Sequence, residues 1–258
     1  MPVTAWSGTV RSEEARSALE AVAPGQAFGR LLDVTDLAAI EPTVAAIERD
    51  IGPLDVLVNS AGYGHEGILE ESPLAEMRRQ FEVNLFGAVA MIQAVLPYMR
   101  RRRRGHILNI TSMGGYITMP GIAYYCGSKF ALEGVSEALG KEVAGLGIAV
   151  TAVAPGSFRT DWAGRSMVRS PRTIADYDAL FDPVRQARQE KSGKQPGGPA
   201  QGRARHAPGH RRGKPAGAPA AGQRCTGAGA AEAEGAGGGN RGVGRGHAVD
   251  GWMRFGKS

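Results

Sequence analysis

Short apolar runs alternate with longer amphipathic stretches over the first 190 residues of the chain. The apolar runs predict strands, and the amphipathic stretches, in which apolar residues recur every three or four positions, predict helices. The predicted strands cover residues 3–10, 27–32, 54–58, 106–110 and 148–153, and the predicted helices cover residues 13–22, 36–51, 73–99 and 124–146. Because strands and helices alternate, the sequence predicts an α/β fold, a doubly wound parallel sheet with helices on both faces.

The ends of two predicted helices carry local signals. Thr35 or Asp36 is expected to cap the second helix, and Ser72 the third. Pro97 is expected to kink the third helix or to end it early. The five consecutive arginines at 100–104 then predict a solvated cationic helix end, which suits the helix dipole, rather than a patch that binds nucleic acid.

The apolar pattern stops after residue 190. No Val, Ile, Leu, Met or aromatic residue occurs between Val184 and Val243, and half of the 38 glycines lie from Gly193 onward. Beyond residue 190 the chain holds 12 Lys and Arg against 3 Asp and Glu, a net charge of +9, whereas the part before it has a net charge of −3. Such a segment cannot bury enough apolar surface to offset its conformational entropy. We therefore predict a nucleotide-binding and catalytic domain over 1–192 and a disordered low-complexity tail over 193–258.

The composition is typical of a soluble globular protein. Apolar residues make up 42% and charged residues 22% of the chain, and no apolar run approaches the roughly 20 residues that span a bilayer. The N-terminus lacks the basic segment and apolar core of a signal peptide. Cys126 and Cys225 are too few and too distant for a disulfide framework, so we expect a cytoplasmic protein. His65 and His106 have no Cys or His at metal-ligand spacing, so we assign no metal, and we consider His65 a candidate for the wall of a substrate cleft.

Ser112, Tyr125 and Lys129 are the candidate catalytic residues. They supply a hydroxyl that donates a hydrogen bond, a phenol that can carry a proton, and an ammonium group. If the segment around them is helical, Tyr125 and Lys129 stand four residues apart on one face. Free tyrosine titrates at about 10, so a neighbouring cation is expected to lower the pKa of Tyr125 for work near neutral pH. Tyr124 is an alternative phenol, but its spacing to Lys129 favours Tyr125.

Several motifs resemble, in type and in order, those of the short-chain dehydrogenase/reductase family. The resemblance covers roughly residues 7–181, and its motifs are Asn59-Ser60-Ala61-Gly62, Asn84, the set Ser112, Tyr125 and Lys129, and Pro155-Gly156 followed by Thr160. It implies a nucleotide-binding fold and an oxidoreductase that moves a hydride between a nicotinamide cofactor and a carbonyl or secondary alcohol.

The resemblance also implies a role for each catalytic residue. Ser112 would hold and polarise the substrate carbonyl, and Tyr125 would transfer the proton. Lys129 would lower the pKa of Tyr125 and bind the nicotinamide ribose. Asn84 would keep the helix backbone open to a water molecule that relays protons.

The cofactor is expected to be NADP rather than NAD. In this fold an acidic residue near the end of a strand binds the ribose of NAD, whereas an arginine accommodates the 2′-phosphate of NADP. Here the strand ends at Thr9-Val10-Arg11-Ser12, without an acid, which favours Arg11 as a contact; alternatively, Arg11 only begins a solvated helix. The resemblance supplies the other predicted cofactor-binding residues: Asp33, Val34, Asn59, Ala61, Gly62, Tyr125, Lys129, Pro155, Gly156 and Thr160.

Two parts of the family's fold are expected to be missing: the first strand–turn–helix unit, and the helix and final strand that follow the substrate loop. The family begins with a strand and a glycine-rich turn whose backbone holds the pyrophosphate, but the first predicted strand here already leads to Arg11. The glycines at 237, 239 and 242 follow no strand and are interpreted as an accident of composition. We therefore expect a sheet that is incomplete at both ends and has unpaired edges in its middle, and a tail that results from a shift of reading frame.

Three functions remain open on these observations. The first is an NADP(H)-dependent oxidoreductase acting on a small carbonyl or alcohol, which the resemblance implies to be a homo-oligomer. The second is an inactive, truncated or frameshifted remnant of such an enzyme. The third is a binding protein whose Arg-Gly tail contacts nucleic acid, although the tail has no aromatic stacking partner before Trp252. We expect no membrane partner, and Trp162, Met167 and Phe181 either line an apolar substrate pocket or belong to the core.

Overall fold

The fold is built on a twisted central sheet. The structure is a computed structural model, and it describes residues 5–159, 161–164, 166–195, 197, 225–226 and 251–255. The strands in chain order are β1 (Ala5–Val10), β2 (Ala27–Leu31), β3 (Leu54–Asn59), β4 (Gly64–Glu66), β5 (Gly105–Ile110), β6 (Ile148–Ala154), β7 (Met167–Arg169), β8 (Cys225–Thr226) and β9 (Gly251–Phe255). Within these residues the main sheet has the order β2-β1-β9-β3-β5-β6-β8, and every neighbouring pair is parallel except the two that involve β9.

Helices cover the sheet. They are α1 (Glu13–Glu20), α2 (Leu37–Asp50), α3 (Leu74–Phe81), α4 (Gly87–Arg102), α5 (Ala123–Val143) and α6 (Asp178–Glu190), and a π-helical turn, Glu82–Phe86, joins α3 to α4. The largest core cluster joins α2, α4 and the end of α5 to the apolar strands β3, β5 and β6. The predicted fold class is therefore confirmed, and each predicted strand and helix of the first 153 residues is present with ends shifted by a few residues.

Two of the predicted helix signals have a different outcome in the structure. Asp36 caps α2 as expected, because its side chain accepts a hydrogen bond from the amide of Ala39 at 3.3 Å. Ser72 does not cap α3, since its hydroxyl donates instead to the carbonyl of Ile68 at 2.7 Å. Pro97 does not end α4, which continues through it to Arg102, so the early end is wrong and the alternative of a kink stays a prediction.

The helical segment Leu74–Arg102 is, among the residues described, long and apolar enough to cross a membrane if only its length and composition are considered. It passes on the mean hydropathy of a window, and it contains no unbroken apolar run of about 20 residues. Core helices of globular domains pass the same test, and this one buries a stripe of apolar residues against the sheet: Met91, Ile92, Val95 and Met99.

The arginine run at the end of α4 binds the body of the domain. Arg102 forms an ion pair with Glu48 at 2.7 Å and donates to the carbonyl of Leu54 at 2.9 Å. Arg104 pairs with Asp55, also at 2.7 Å. The expected solvated helix end is therefore wrong for Arg102, whose side chain is only 25% exposed because it ties α4 to α2 and β3.

The central position of the sheet is filled by β9. This strand runs antiparallel between β1 and β3, with Gly251 beside Thr9 and Asn59 and with Phe255 beside Ala5 and Leu54. The expected unpaired edges in the middle of the sheet are therefore absent between these strands. The predicted disorder falls mainly on residues 198–224 and 227–250, which lie outside the described residues, as do the glycines at 237, 239 and 242. The domain boundary at 192 stays a prediction.

A small second layer stands beside the carboxyl edge of the main sheet. β4 pairs in parallel with β7, so that His65 lies beside Val168 and Glu66 beside Arg169. α6 packs on the loop before α5 through Phe181, which is fully buried. A Cβ atom on Gly121 would lie 1.9 Å from the Phe181 ring, so only glycine allows this approach.

Candidate functional site

The parallel strands bring the predicted site residues to one edge of the sheet. Arg11 follows β1, Asp33 follows β2, Gly62 follows β3, Ser112 follows β5 and Pro155 follows β6. In open α/β sheets, ligands bind in the crevice outside the carboxyl ends of the strands. The topology therefore collects residues that are up to 144 positions apart in the chain.

Ser112 and Tyr125 lie side by side. A Cβ atom on Gly114 would lie 3.2 Å from Tyr125 Cε1 and 3.5 Å from Ser112 Oγ, and Tyr125 is 7% exposed. Ser112 begins the short 3₁₀ turn Met113–Gly115, where its hydroxyl oxygen accepts a hydrogen bond from the amide of Gly114 at 3.0 Å. The bond from Gly114 fixes the Ser112 side chain beside the Tyr125 ring.

Lys129 lies one helical turn after Tyr125, as the spacing predicts. Its Nζ donates to the carbonyl of Ile110 at 2.8 Å and lies 5.9 Å from the centroid of the Tyr125 ring. Gly62 approaches the same group, since a Cβ atom there would be 3.6 Å from Nζ. The ammonium group is thus enclosed between the ends of β3 and β5.

Burial controls the protonation of both groups. It raises the pKa of Tyr125 from 10.0 to about 12, against the hydrogen bond from Ser112. It lowers the pKa of Lys129 from 10.5 to about 8, against the charge of Glu133. The net direction is opposite to the lowered pKa that we expected for Tyr125, because the loss of hydration is its largest cause. The role of Lys129 toward Tyr125 stays a prediction. Tyr125 is a neutral phenol at pH 7, which is the form that donates a proton.

Asn84 lies in the π-helical turn and is 1% exposed. Its Oδ1 accepts a hydrogen bond from the amide of Tyr63 at 3.0 Å, and its Nδ2 donates to the carbonyl of Tyr63 and to Ser128 Oγ, each at 3.1 Å. Irregular turns of this kind occur often at functional sites. The side chain joins the loop after β3 to α5, and it holds that loop in place beside Lys129.

Gln80 belongs to the same network and was missed by the sequence analysis. It is fully buried, and its Nε2 donates to the carbonyl of Tyr63 at 2.8 Å. Gln80 and Asn84 therefore hold the same peptide group. A polar residue four positions before Asn84 on a helix is a signal that could have identified it.

The side chain of Asn59 forms hydrogen bonds with other residues of the protein. Its Nδ2 donates to the Oδ1 of Asn109 at 2.9 Å and to the carbonyl of Ala88 at 3.3 Å. Ala61 and Val34 pack against the core cluster or belong to it. Gly156 follows Pro155 at the end of β6, and Thr160 lies outside the described residues.

The alternative phenol faces away from this network. The hydroxyl of Tyr124 donates to the carbonyl of Ser72 at 2.8 Å, and its ring stacks on His65 with centroids 5.1 Å apart. His65 is 1% exposed and its Nε2 lies 2.9 Å from Ser170 Oγ, so it does not line an open cleft as we had considered. Burial lowers the pKa of His65, against the charges of Glu76 and Glu66.

The three apolar candidates for a substrate wall separate in the structure. Phe181 is fully buried and Met167 is 7% exposed, so both belong to the core. Trp162 is half-buried and its ring lies against Tyr125, with centroids 4.9 Å apart and planes at 55°. Trp162 is therefore the candidate that contacts the phenol.

Arg11 and Asp33 lie together at the far end of the edge. Burial works to raise the pKa of Asp33, but hydrogen bonds from Thr35 and the charges of Arg11 and Arg79 outweigh it and lower that pKa. Thr35 donates to Asp33 Oδ1 from both its amide, at 2.9 Å, and its hydroxyl, at 2.7 Å. The carboxylate is thus fixed and charged, with two arginines near it.

Two groups of the described residues could hold a nicotinamide dinucleotide. Ser112, Tyr125 and Lys129 could hold the nicotinamide and its ribose, and Arg11 and Asp33 could hold the adenosine. Between these ends lies the first residue of β9. This strand runs antiparallel to its neighbours β1 and β3, so it begins at the edge where they end. Among the residues described, no helix begins from this central strand to receive the pyrophosphate.

Sequence and structure comparisons agree on one family. A sequence model of short chain dehydrogenases matches residues 4–168. The chain is 37% identical to the oxidoreductase BOA17 of Botryotinia fuckeliana over 166 residues, which are 64% of this chain and 60% of that protein. The chain spans about half to three fifths of the length of the curated relatives it matches.

Solved structures show the same relationship. A short-chain dehydrogenase from Streptomyces avermitilis is 38% identical, with a TM-score of 0.70 over 77% of this chain and 72% of that one. A gluconate 5-dehydrogenase from Burkholderia cenocepacia, in complex with NADP and tartrate, is 28% identical, with a TM-score of 0.59 over 61% and 63%. With the ordered motifs at the edge of a doubly wound sheet, these matches show that the chain belongs to the short chain dehydrogenase family of oxidoreductases.

Proposed function

We propose that this protein is an oxidoreductase that interconverts a carbonyl and a secondary alcohol with NADP(H). The observation that carries the proposal is the meeting of Ser112 and Tyr125 beside Gly114, with Lys129 Nζ 5.9 Å from the centroid of the Tyr125 ring in the same enclosed space. We propose that the substrate is a small molecule. We also propose that the protein forms a homo-oligomer and lies in the cytoplasm.

The chemistry of these side chains suits reduction of a carbonyl. When bound, NADP(H) supplies or accepts the hydride. Ser112 donates a hydrogen bond to the carbonyl oxygen and polarises it. Tyr125 gives its phenolic proton to the oxygen as negative charge develops there, and the ammonium group of Lys129 stabilises the tyrosinate that remains. Asn84 holds the loop that borders Lys129.

The choice of NADP rests on the first strand. β1 is followed by Arg11, and no acidic residue occupies that position. An arginine there suits the additional phosphate of NADP, with which it can form a charge-assisted hydrogen bond. Solved relatives hold either cofactor, NADP in the gluconate 5-dehydrogenase and NAD+ in a xylitol dehydrogenase, so the choice rests on Arg11.

A second candidate is a remnant without activity. It is favoured by the antiparallel β9 at the position where the pyrophosphate would need a helix N-terminus. The nucleic-acid reading rests on residues outside those described, and nothing in the described part of the chain favours it.

Binding of the reduced cofactors separates these candidates. The full chain would be titrated with NADPH and with NADH, and binding followed by nicotinamide fluorescence and by calorimetry. We expect NADPH to bind at micromolar concentration and a panel of ketones and aldehydes to be reduced at its expense. Absence of NADPH binding up to about 1 mM, a free energy of roughly −4 kcal/mol, would reject the enzyme and support the remnant.

A further inference from the structure

Glu66 is a fully buried carboxylate that is surrounded by arginines. Its Oε1 lies 3.0 Å from Arg169 Nε and 3.3 Å from Arg185 Nε, and its Oε2 lies 2.5 Å from Arg188 Nη1. Burial of an isolated carboxylate is costly, and paired guanidinium groups offset that cost. Glu66 is therefore a charged centre that holds three side chains from β7 and α6 at once.

Two of these arginines also bind loops beside Tyr125. Arg169 Nη2 donates to the carbonyl of Ala163 at 2.5 Å, and Arg188 Nη2 donates to the carbonyl of Pro120 at 3.1 Å. The first loop follows β6, and the second leads into α5. Arg185 pairs with Glu66 but, among the described residues, does not bind either loop.

The loop that Arg169 holds carries Trp162. Ala163 is the next residue, and the Trp162 ring packs on Tyr125 with centroids 4.9 Å apart. The indole also meets the backbone of β4, since a Cβ atom on Gly64 would lie 3.0 Å from Trp162 Cε2. The contacts run without a gap from Glu66 through Arg169 and Ala163 to Trp162 and Tyr125.

We propose that Glu66 is a positioning residue that sets the place of Trp162 against Tyr125. Through Arg169 it fixes the loop, and the indole then forms the apolar wall that a substrate carbonyl must pass to reach the Tyr125 hydroxyl. The proposal rests on the proposed oxidoreductase function, which it extends by a residue that determines how the substrate fits.

The chain offers matched controls. Glu71 has a side chain that is also 0% exposed, and it accepts hydrogen bonds from Arg172 at 2.9 Å and from the amides of Thr173 and Ile174. It anchors the segment before α6 without contacting the Trp162 loop. Glu71→Gln is therefore the control for Glu66→Gln, and Arg185→Met is the control for Arg169→Met.

The position of Trp162 can be measured without turnover. Trp6 and Trp252 would be replaced by phenylalanine, so that Trp162 is the one indole, and its emission and quenching by acrylamide would be recorded in each variant. We expect Arg169→Met and Glu66→Gln to increase quenching at least ~2-fold, since a released loop exposes the indole. Arg185→Met and Glu71→Gln should leave it unchanged. Equal quenching in Arg169→Met and Arg185→Met would overturn the proposal. If Glu66→Gln does not fold, Arg169→Met still tests the proposal, because it leaves Glu66 paired with Arg185 and Arg188.

Steady-state kinetics give the second test. Arg169→Met should raise KM for the carbonyl substrate about 10-fold and change kcat much less, because the phenol and its partners stay in place. An equal loss of kcat in Arg169→Met and Arg185→Met would mean a general structural role. If the parent protein turns over no carbonyl, the proposed function fails, and the quenching result still decides whether Glu66 positions Trp162.

Discussion

The ammonium group of Lys129 lies 5.9 Å from the centre of the Tyr125 ring and donates a hydrogen bond to the carbonyl of Ile110 at 2.8 Å. The two groups share a buried space in which burial raises the pKa of Tyr125 to about 12, so that the phenol is protonated at neutral pH. In the proposed reaction Lys129 would stabilise the tyrosinate after Tyr125 has given up its proton. The first two predictions follow from this separation of roles.

Replacement of Tyr125 by phenylalanine should remove catalysis. We expect kcat/KM for carbonyl reduction to fall about 10²- to 10⁴-fold, because the general acid is lost. The affinity for NADPH should change less than about 2-fold. The control is Tyr124→Phe, which loses the hydrogen bond to Ser72 and should cost about 1 kcal/mol of unfolding free energy while kcat is retained. Turnover that survives in Tyr125→Phe and disappears in Tyr124→Phe would reverse the assignment.

The buried ammonium of Lys129 should make stability rise with pH. Burial lowers its pKa from 10.5 to about 8 in the folded protein, so between these values the unfolded chain binds more protons and the unfolding free energy increases. The full increase would be about 3 kcal/mol. Urea unfolding from pH 7 to 9.5 should record about 2 kcal/mol of this increase, below the range in which Tyr125 titrates in the folded protein. The comparison protein is Lys129→Met, and identical pH dependence in the two proteins would show that Lys129 is not buried in its charged form.

A change of charge at Arg11 should alter the choice of cofactor. In Arg11→Glu we expect the preference for NADPH over NADH, measured as a ratio of dissociation constants, to fall by at least ~10-fold. Arg100→Glu makes the same change of net charge at an exposed position on α4, whose end lies at the opposite edge of the sheet. It should leave the ratio unchanged. An Arg11→Glu protein that still prefers NADPH would remove Arg11 from the proposed phosphate site.

Gly121 and Gly25 share a left-handed backbone but not their surroundings. Their φ angles are +76° and +74°, and a Cβ atom would meet Phe181 at Gly121 and nothing within 4 Å at Gly25. Gly25→Ala should therefore cost only the backbone strain, about 1 kcal/mol. Gly121→Ala should cost about 3 kcal/mol or more, because Phe181 must also move. Urea unfolding of both variants is the measurement, and equal losses would show that α6 is not packed on this loop.

Much of the fold could be predicted from neighbouring residues in the sequence. Periodicity predicted the strands β1, β2, β3, β5 and β6 and the helices between them, but it missed the short strand β4. The side chain of Asp36 predicted the start of α2. Those features depend on residues within one or two turns of each other. The order of the motifs around Ser112, Tyr125 and Lys129 also identified the family, since parallel strands bring their carboxyl ends to one edge whatever the loops contain.

The tertiary structure decided which groups are buried and which distant residues meet. Glu66 pairs with arginines that are 103 to 122 positions away, and no local pattern encodes such a contact. The same holds for Arg102, whose partner Glu48 is 54 positions away, and for β9, which joins the middle of the sheet from the end of the chain. The pKa of Tyr125 was predicted in the wrong direction because the sequence shows the cation beside it but not the loss of water around it. Sequence determined the elements and the chemistry of the site, and packing determined the protonation states and the position of the wall that a substrate meets.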